Sequence, residues 1–267
     1  MTTSGDTILV LYTGGDGQLD VPLEGGIVLP SLPLARKDIH LDGEKVVAVG
    51  WSTGGLLAMS LAWKSADFDI RPPEAVLAFY SPSDYGDPFW TQPNIPEGSE
   101  KVFPVEADWD SMVFDRRPIT AYNPPASAQA AGGWMSTQDP RSKLALYMNH
   151  QGKTLDVLLH GVAALDGHRQ VTREEVLAVS PLAKVQQNLY HTPTFIIHPR
   201  DDDLIPWQQA ERMYEALSEK GVDAELRIID GGAKHLFDIG KCWEKRCPQG
   251  REAVQEGFGF LEKRVCC

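Results

Sequence analysis

The sequence predicts an α/β fold, a mostly parallel sheet with helices on both faces, and three observations predict it. Short apolar runs such as Val46–Val49 and Thr194–His198 lack the polar alternation of a half-wet strand and fit strands buried on both faces. Helix-prone stretches follow them at short spacing, in the order strand, helix, strand, helix. A chain of 267 residues that is 42% hydrophobic and 23% charged is also long and apolar enough to bury one substantial core. A single domain spanning residues 1–267 is expected.

Ile8 to Tyr12 reads as the first strand. It runs into Thr13-Gly14-Gly15-Asp16-Gly17, a turn rich in the residue that tolerates unusual backbone angles. Leu19 to Pro33 is crowded with Gly and Pro and predicts no element. Val46–Val49 is a strand, Gly50-Trp51-Ser52-Thr53-Gly54 interrupts it, and Leu56 to Trp63 reads as a helix. Pro72-Pro73 precedes the strand Val76–Tyr80. Across residues 81–190 prolines fall among aromatics such as Trp90, Trp109, Tyr122 and Trp134. Short helices are expected at 141–149 and 172–178, and the segment reads as a cap or insertion that shapes a pocket. Alternation then resumes. Thr194–His198 is a strand, Trp207–Lys220 an amphipathic helix, Ala224–Ile229 a strand and Arg251–Arg264 a closing helix.

Charge and cysteine usage exclude several classes of function. Lys and Arg number 25 against 37 Asp and Glu, a formal net charge of -12, with no basic run, so nucleic acid and anionic membrane are not expected partners. No stretch of 18 apolar residues is present, and Met1–Asp6 carries no basic flank before an apolar run, so neither a membrane span nor a signal peptide is expected. The four cysteines, Cys242, Cys247, Cys266 and Cys267, crowd the end of the chain without paired CxxC spacing. A cytoplasmic setting is expected, with no cofactor and no metal site. His40, His150, His160, His168 and His191 show no ligand spacing.

The sharpest local feature is Gly50-Trp51-Ser52-Thr53-Gly54, a G-x-S-x-G pentapeptide between a buried strand and a helix. In a nucleophile elbow the serine sits in a strained turn that pushes its hydroxyl out of the backbone, and small flanking residues let strand and helix approach. The first helical N–H groups, Thr53 among them, face the charge that develops on a substrate oxygen. Such pentapeptides also occur by chance as tight turns. Serine needs a base, and the base needs an orienting acid. Asp201-Asp202-Asp203 follows the strand at 194–198, and Lys234-His235-Leu236-Phe237 follows the strand at 224–229. The order Ser52, Asp202, His235 is that of an α/β-hydrolase triad. Asp201 and Asp203 stay open as alternatives to Asp202, and a solvated acidic loop is another. His198, at a strand end, is read as a structural hydrogen-bonding residue.

At these residues the chain resembles the α/β-hydrolase thioesterase domains at the ends of fungal non-reducing polyketide synthases, most of all those that also carry a methyltransferase domain. The likeness runs through Trp51-Ser52-Thr53-Gly54-Gly55, Ala58–Trp63 and Pro72–Tyr80. It continues through Ile119–Asn123, Gly132–Ser136, Asp139–Ser142, Thr192–His198 and Asp202–Gln209, covering roughly residues 40–240. The resemblance implies Ser52 as nucleophile, Asp202 as the acid of an HGxxDxxVP-type segment and His235 as the base before Leu-Phe. The chain departs at Pro199, where that segment usually has glycine. It departs again at Tyr12–Gly17, the nearest equivalent of an HGGG-like oxyanion loop, which has no histidine. The span from Gly17 to Trp51 is too short for the usual helix, strand and helix, so the sheet is expected to be reduced on its N-terminal side or its elements lost by truncation. Gly14 and Gly15 are candidates for the first oxyanion donor, with a plain structural turn as the equal alternative.

The resulting expectation is a serine-dependent thioesterase that releases a polyketide acyl chain from a phosphopantetheine thioester on an acyl carrier protein, by hydrolysis or cyclisation. A carboxylesterase or lactonase on small esters is the first alternative. A non-catalytic relative that binds a ligand is the second. The short start leaves sheet surface that a second copy could cover, so a homodimer is one expectation.

Overall fold

The computed structural model describes residues 6–10, 42–94, 126, 140–161, 171–238 and 243–265. In chain order its main elements are β1 (Asp6–Val10), β2 (Asp42–Trp51), α1 (Thr53–Lys64), β3 (Ala75–Phe79), α2 (Pro140–Gln151), α3 (Thr154–His160), α4 (Arg173–Val179), α5 (Pro181–Gln186), β4 (Thr194–Pro199), α6 (Gln208–Glu219), β5 (Ala224–Ile229), α7 (Trp243–Arg246) and α8 (Pro248–Val265). Every element expected from the sequence within these residues is present, with ends shifted by a few residues. The helices α3, α5 and α7 were not expected. Each is short, and a run of four to seven residues carries too few turns to show a helical period.

Among the described residues, the five strands form one sheet in the order β1-β2-β3-β4-β5, and every pairing is parallel. Parallel strands buried on both faces need apolar residues at every position, and β3 and β4 are buried throughout. Alternate side chains then serve two cores. Ala48, Val76, Ala78 and Ile196 face Ala58 and Met59 of α1, Leu182 and Val185 of α5, and Met213 and Leu217 of α6. Val47, Val49, Leu77, Phe79, Phe195 and Ile197 face Ala253, Phe260, Leu261 and Val265 of α8. Gly257 of α8 lies where a Cβ would come within 2.7 Å of the Leu77 side chain, so that helix packs tightly on β3.

Register aligns the carboxyl ends of four strands. Trp51 pairs with Phe79, Phe79 with Ile197, and Pro199 with Ile229. The first residue past each strand then bonds to its neighbour's end. The Ser52 N–H donates to the Phe79 carbonyl at 2.9 Å, Tyr80 N–H to Ile197 at 2.6 Å, and Arg200 N–H to Ile229 at 2.9 Å. The strand β2 does not stop at Val49. It continues through Gly50 and Trp51, because both keep their places in the ladder beside Ala78 and Phe79.

The chain divides into two compact units. One holds the sheet and its helices, from residues 6–10, 42–84 and 180–265; the other holds described residues between 85 and 179. Within the second, Trp90 is buried edge-on against Tyr85 and Phe89, with ring centroids 5.0 and 4.9 Å away. Thr172 and Glu175 form a reciprocal capping box at the start of α4: Glu175 N–H donates to Thr172 Oγ1, and Thr172 N–H donates to Glu175 Oε2. His160 Nε2 lies 3.0 Å from the other Glu175 oxygen. The Thr172 backbone bond, the His160 bond and the Thr172 hydroxyl lower the Glu175 carboxyl to about 2.

Candidate active site

Ser52 connects β2 to α1 at φ 53° and ψ -126°, a conformation disfavoured for any residue with a Cβ. Holding such a residue costs about 1–3 kcal/mol and persists only where neighbouring structure over-determines it. The neighbours here are backbone. The Ser52 N–H is anchored to β3, and its carbonyl accepts from Gly55 N–H at 3.0 Å and Leu56 N–H at 3.4 Å. A Cβ on Gly50 would lie 2.0 Å from the Gly54 carbonyl oxygen, and one on Gly55 would lie 1.7 Å from Ser81 Oγ. Glycine at both positions lets the turn close. Thr53 and Gly54, as the first residues of α1, have N–H groups with no intrahelical acceptor.

Three consecutive acids after β4 have three different surroundings. Asp201 Oδ2 accepts the Gly232 N–H at 3.0 Å and so ties its loop to the one after β5. The Asp202 side chain is fully buried and turns inward. Its Oδ1 accepts the N–H groups of Leu204 and Ile205 at 2.8 and 3.0 Å, an Asx-type turn that fixes the carboxylate on its own loop. Asp203 is exposed. Arg200 joins the same pair of loops through Asp230, and its guanidinium lies 4.4 Å above the Trp207 ring.

His235 lies on the loop after β5, past Gly231 and Gly232 at φ 86° and 82° and before Leu236 at φ 64°. Its Nδ1 is 2.8 Å from Asp202 Oδ2 and 3.0 Å from Oδ1, and its Nε2 is 3.0 Å from Ser52 Oγ. With the proton on Nδ1, the imidazole donates to Asp202 and accepts from the serine hydroxyl. The side chain of His235 is 4% exposed. Burial pushes the Asp202 carboxyl up, but hydrogen bonds from His198 and His235 outweigh it and hold the group well below the usual carboxylate range.

His198 also touches this carboxylate. It is fully buried, with Nε2 3.1 Å from Asp202 Oδ2 and 3.0 Å from the Ile205 carbonyl, while its Nδ1 has no hydrogen-bond partner among the described residues. A further carboxylate, Asp238, accepts from Trp51 Nε1 and from the Tyr80 hydroxyl, each at 2.7 Å. Neither Tyr80 nor Asp238 stands out in the sequence. The one cue is that Asp238 follows His235 by three residues, and nothing local connects it to positions 51 and 80. Gly14 and Gly15 lie outside the described residues. Among the described residues, no group of three His, Cys, Asp or Glu side chains is placed to hold a metal ion. No helix among them is long and apolar enough to cross a membrane.

A hydroxyl on a strained turn, a histidine within hydrogen-bond reach and a buried carboxylate behind it can generate an oxygen nucleophile without a metal. On a parallel sheet with helices on both faces, this arrangement makes the chain a serine-hydrolase-like domain of the α/β-hydrolase superfamily. The prolyl oligopeptidase family matches residues 144–253. The chain is homologous to a region of fungal non-reducing polyketide synthases. It is 50% identical over 249 residues to non-reducing polyketide synthase adrD of Penicillium rubens, covering 89% of this chain and 10% of that protein. Non-reducing polyketide synthase ausA of Aspergillus calidoustus is 48% identical and 5-methylorsellinic acid synthase of Aspergillus terreus 46% identical, with the same two coverages. The chain thus spans about a tenth of the length of these relatives. Among solved structures, acylaminoacyl peptidase of Pyrococcus horikoshii aligns over 86% of this chain and 25% of its own at TM-score 0.47 and 15% identity.

Proposed function

We propose that the chain is a serine-dependent thioesterase that releases a polyketide acyl chain from the phosphopantetheine thioester of an acyl carrier protein. The observation that carries the reading is the continuous line from Ser52 Oγ through the His235 ring to the buried Asp202 carboxylate. His235 Nε2 takes the Ser52 proton as Oγ attacks the thioester carbonyl carbon, and Asp202 holds the tautomer and stabilises the imidazolium. The oxyanion is assigned to the Thr53 N–H, with one of Gly14 or Gly15 as second donor; one such donor contributes about 2.7–4 kcal/mol. The imidazolium then protonates the departing thiolate. A water, or a hydroxyl of the acyl chain itself, gives its proton to His235 and attacks the acyl-serine; the acyl–Oγ bond breaks, His235 returns the proton to Ser52 Oγ, and a free acid or a lactone leaves.

The carrier-bound substrate is assigned from the names of the homologues, which are polyketide synthases. Choice of acyl group is assigned, on composition, to the Pro- and aromatic-rich segment 81–190. The test pairs a fluorophosphonate probe with a substrate comparison. Peptide mass spectrometry is expected to find one adduct, on Ser52, absent in Ser52→Ala. Acyl pantetheine thioesters are expected to turn over faster than p-nitrophenyl esters of the same acid. A preference for the aryl ester replaces the thioesterase with a small-ester carboxylesterase, and turnover unchanged in Ser52→Ala removes the catalytic reading altogether.

A further inference from the structure

We infer that Asp238 is a positioning residue that latches the base loop to the nucleophile elbow and thereby sets the distance from His235 to Ser52. The inference rests on Ser52 and His235 acting as nucleophile and base. His235 belongs to no strand or helix, so its backbone is placed by whatever holds the two ends of its loop. On the N-terminal side, Asp230 meets Arg200, Gly232 N–H donates to Asp201, and Asp230 N–H donates to Gln249 Oε1. Those bonds tie the loop to the acid loop and to α8. They fix His235 relative to Asp202.

The C-terminal side is tied elsewhere. Asp238 Oδ2 accepts from the indole Nε1 of Trp51, the residue covalently joined to Ser52. Asp238 Oδ1 accepts from the hydroxyl of Tyr80, the first residue past β3. Both distances are 2.7 Å, within the ordinary hydrogen-bond range. Each donor is itself held. The Trp51 indole stacks on Phe79 with centroids 4.9 Å apart and an 8° angle between planes. Tyr80 is fully buried, and its ring meets the His235 ring edge-on at 4.5 Å. One carboxylate therefore joins the elbow strand, the β3 exit and the base loop.

Backbone strain is concentrated at the same place. Among the described residues five non-glycines have positive φ, and three of them are Ser52, Tyr80 and Leu236. Each lies within three residues of a group in this cluster: Ser52 beside Trp51, Tyr80 itself, and Leu236 two before Asp238. Strain of this kind persists where the surrounding structure over-determines it; backbone bonds hold Ser52, and the two bonds to Asp238 tie Tyr80 and the base loop beside it. Asparagine at 238 keeps the shape: its carbonyl oxygen can accept from Trp51 Nε1 while its NH₂ donates to the Tyr80 hydroxyl turned round as an acceptor, so both contacts can survive, whereas alanine removes both.

The test measures Ser52 labelling by a fluorophosphonate and hydrolysis of p-nitrophenyl butyrate in full-length protein, with each variant checked for folding by circular dichroism. Asp238→Ala is expected to lower the labelling rate and kcat about 10- to 100-fold while KM stays within about twofold, the pattern of a misplaced base, and Asp238→Asn to lose much less. Tyr80→Phe and Trp51→Phe each remove one donor and are expected to lose less than Asp238→Ala. They carry the test if the Asp238 variants fail to fold. In a His235→Ala background, Asp238→Ala is expected to add nothing, because its effect passes through the histidine. Wild-type rates in Asp238→Ala, or an equal further loss in the His235→Ala background, overturn the inference and leave the nucleophile assignment standing. A wild-type protein whose Ser52 stays unlabelled overturns both.

Discussion

The nucleophile elbow and the two loops facing it bring their groups to the same 3 Å by different physics. The elbow is made by backbone. Ser52 is pinned by its own N–H and carbonyl within a turn of a few residues, and the glycines at 50 and 55 are there because a Cβ has no room. The acid and base loops are made by side chains. Arg200–Asp230, Asp201–Gly232, Asp202–His235 and Asp238 with Trp51 and Tyr80 cross between segments far apart in sequence. A backbone device fails as a unit when a small residue is enlarged. A side-chain device loosens one polar group at a time, so its substitutions change rates before they change the fold.

The largest expected effect removes the chemistry from either side. Ser52→Ala and His235→Ala each lower kcat by about 10⁵–10⁶-fold, and combining them costs little more, because members of one catalytic unit are not additive; single-turnover hydrolysis of an acyl pantetheine thioester checks this. Asp202→Asn keeps its size but holds the wrong imidazole tautomer, and a loss of about 10⁴-fold in kcat is expected. A loss under tenfold would move the acid's role elsewhere.

Gly50→Ala tests the backbone device. With a Cβ 2.0 Å from the Gly54 carbonyl oxygen, strand and helix must separate, and destabilisation of about 3 kcal/mol or more is expected from urea unfolding. Asp201→Ala tests the side-chain device. It frees the Gly232 N–H on an exposed loop, so stability changes by under about 1 kcal/mol. The rate of Ser52 labelling is still expected to fall several-fold. Equal unfolding midpoints for Gly50→Ala and Asp201→Ala would erase the distinction.

The last expectation concerns pH. The folded Asp202 carboxyl lies below its unfolded value, so its contribution to stability is present in full above about pH 4. The contribution is lost as pH falls through the folded value. The stability difference between wild type and Asp202→Asn should therefore stay level from pH 7 to about pH 5 and narrow below pH 4. Narrowing between pH 7 and pH 5 would show that the carboxylate is not held down by its two histidines.

Legibility follows the same division. The Val46–Val49 and Thr194–His198 strands and the pentapeptide Gly50–Gly54 were visible because each property lies within a few consecutive residues. The order of Ser52, Asp202 and His235 was visible because strand–helix alternation puts successive loops on one edge. Other features were not. Asp201, Asp202 and Asp203 are chemically identical neighbours, and only the turn closed by the Leu204 and Ile205 N–H groups directs Asp202 inward. The end of β2 was read too early because Gly50 disrupts an apolar run, although it does not disrupt a ladder.

The sequence alone therefore determined the α/β class, the serine on its turn and the candidates for acid and base, since apolar period, glycine spacing and chain order are local or one-dimensional properties. The tertiary structure decided the parallel register that aligns four strand ends, the sorting of the three aspartates, the contact of His198 with Asp202 and the joining of Trp51 and Tyr80 at Asp238. Those depend on distances between residues up to 187 positions apart, which no local pattern encodes and only the packed sheet brings together.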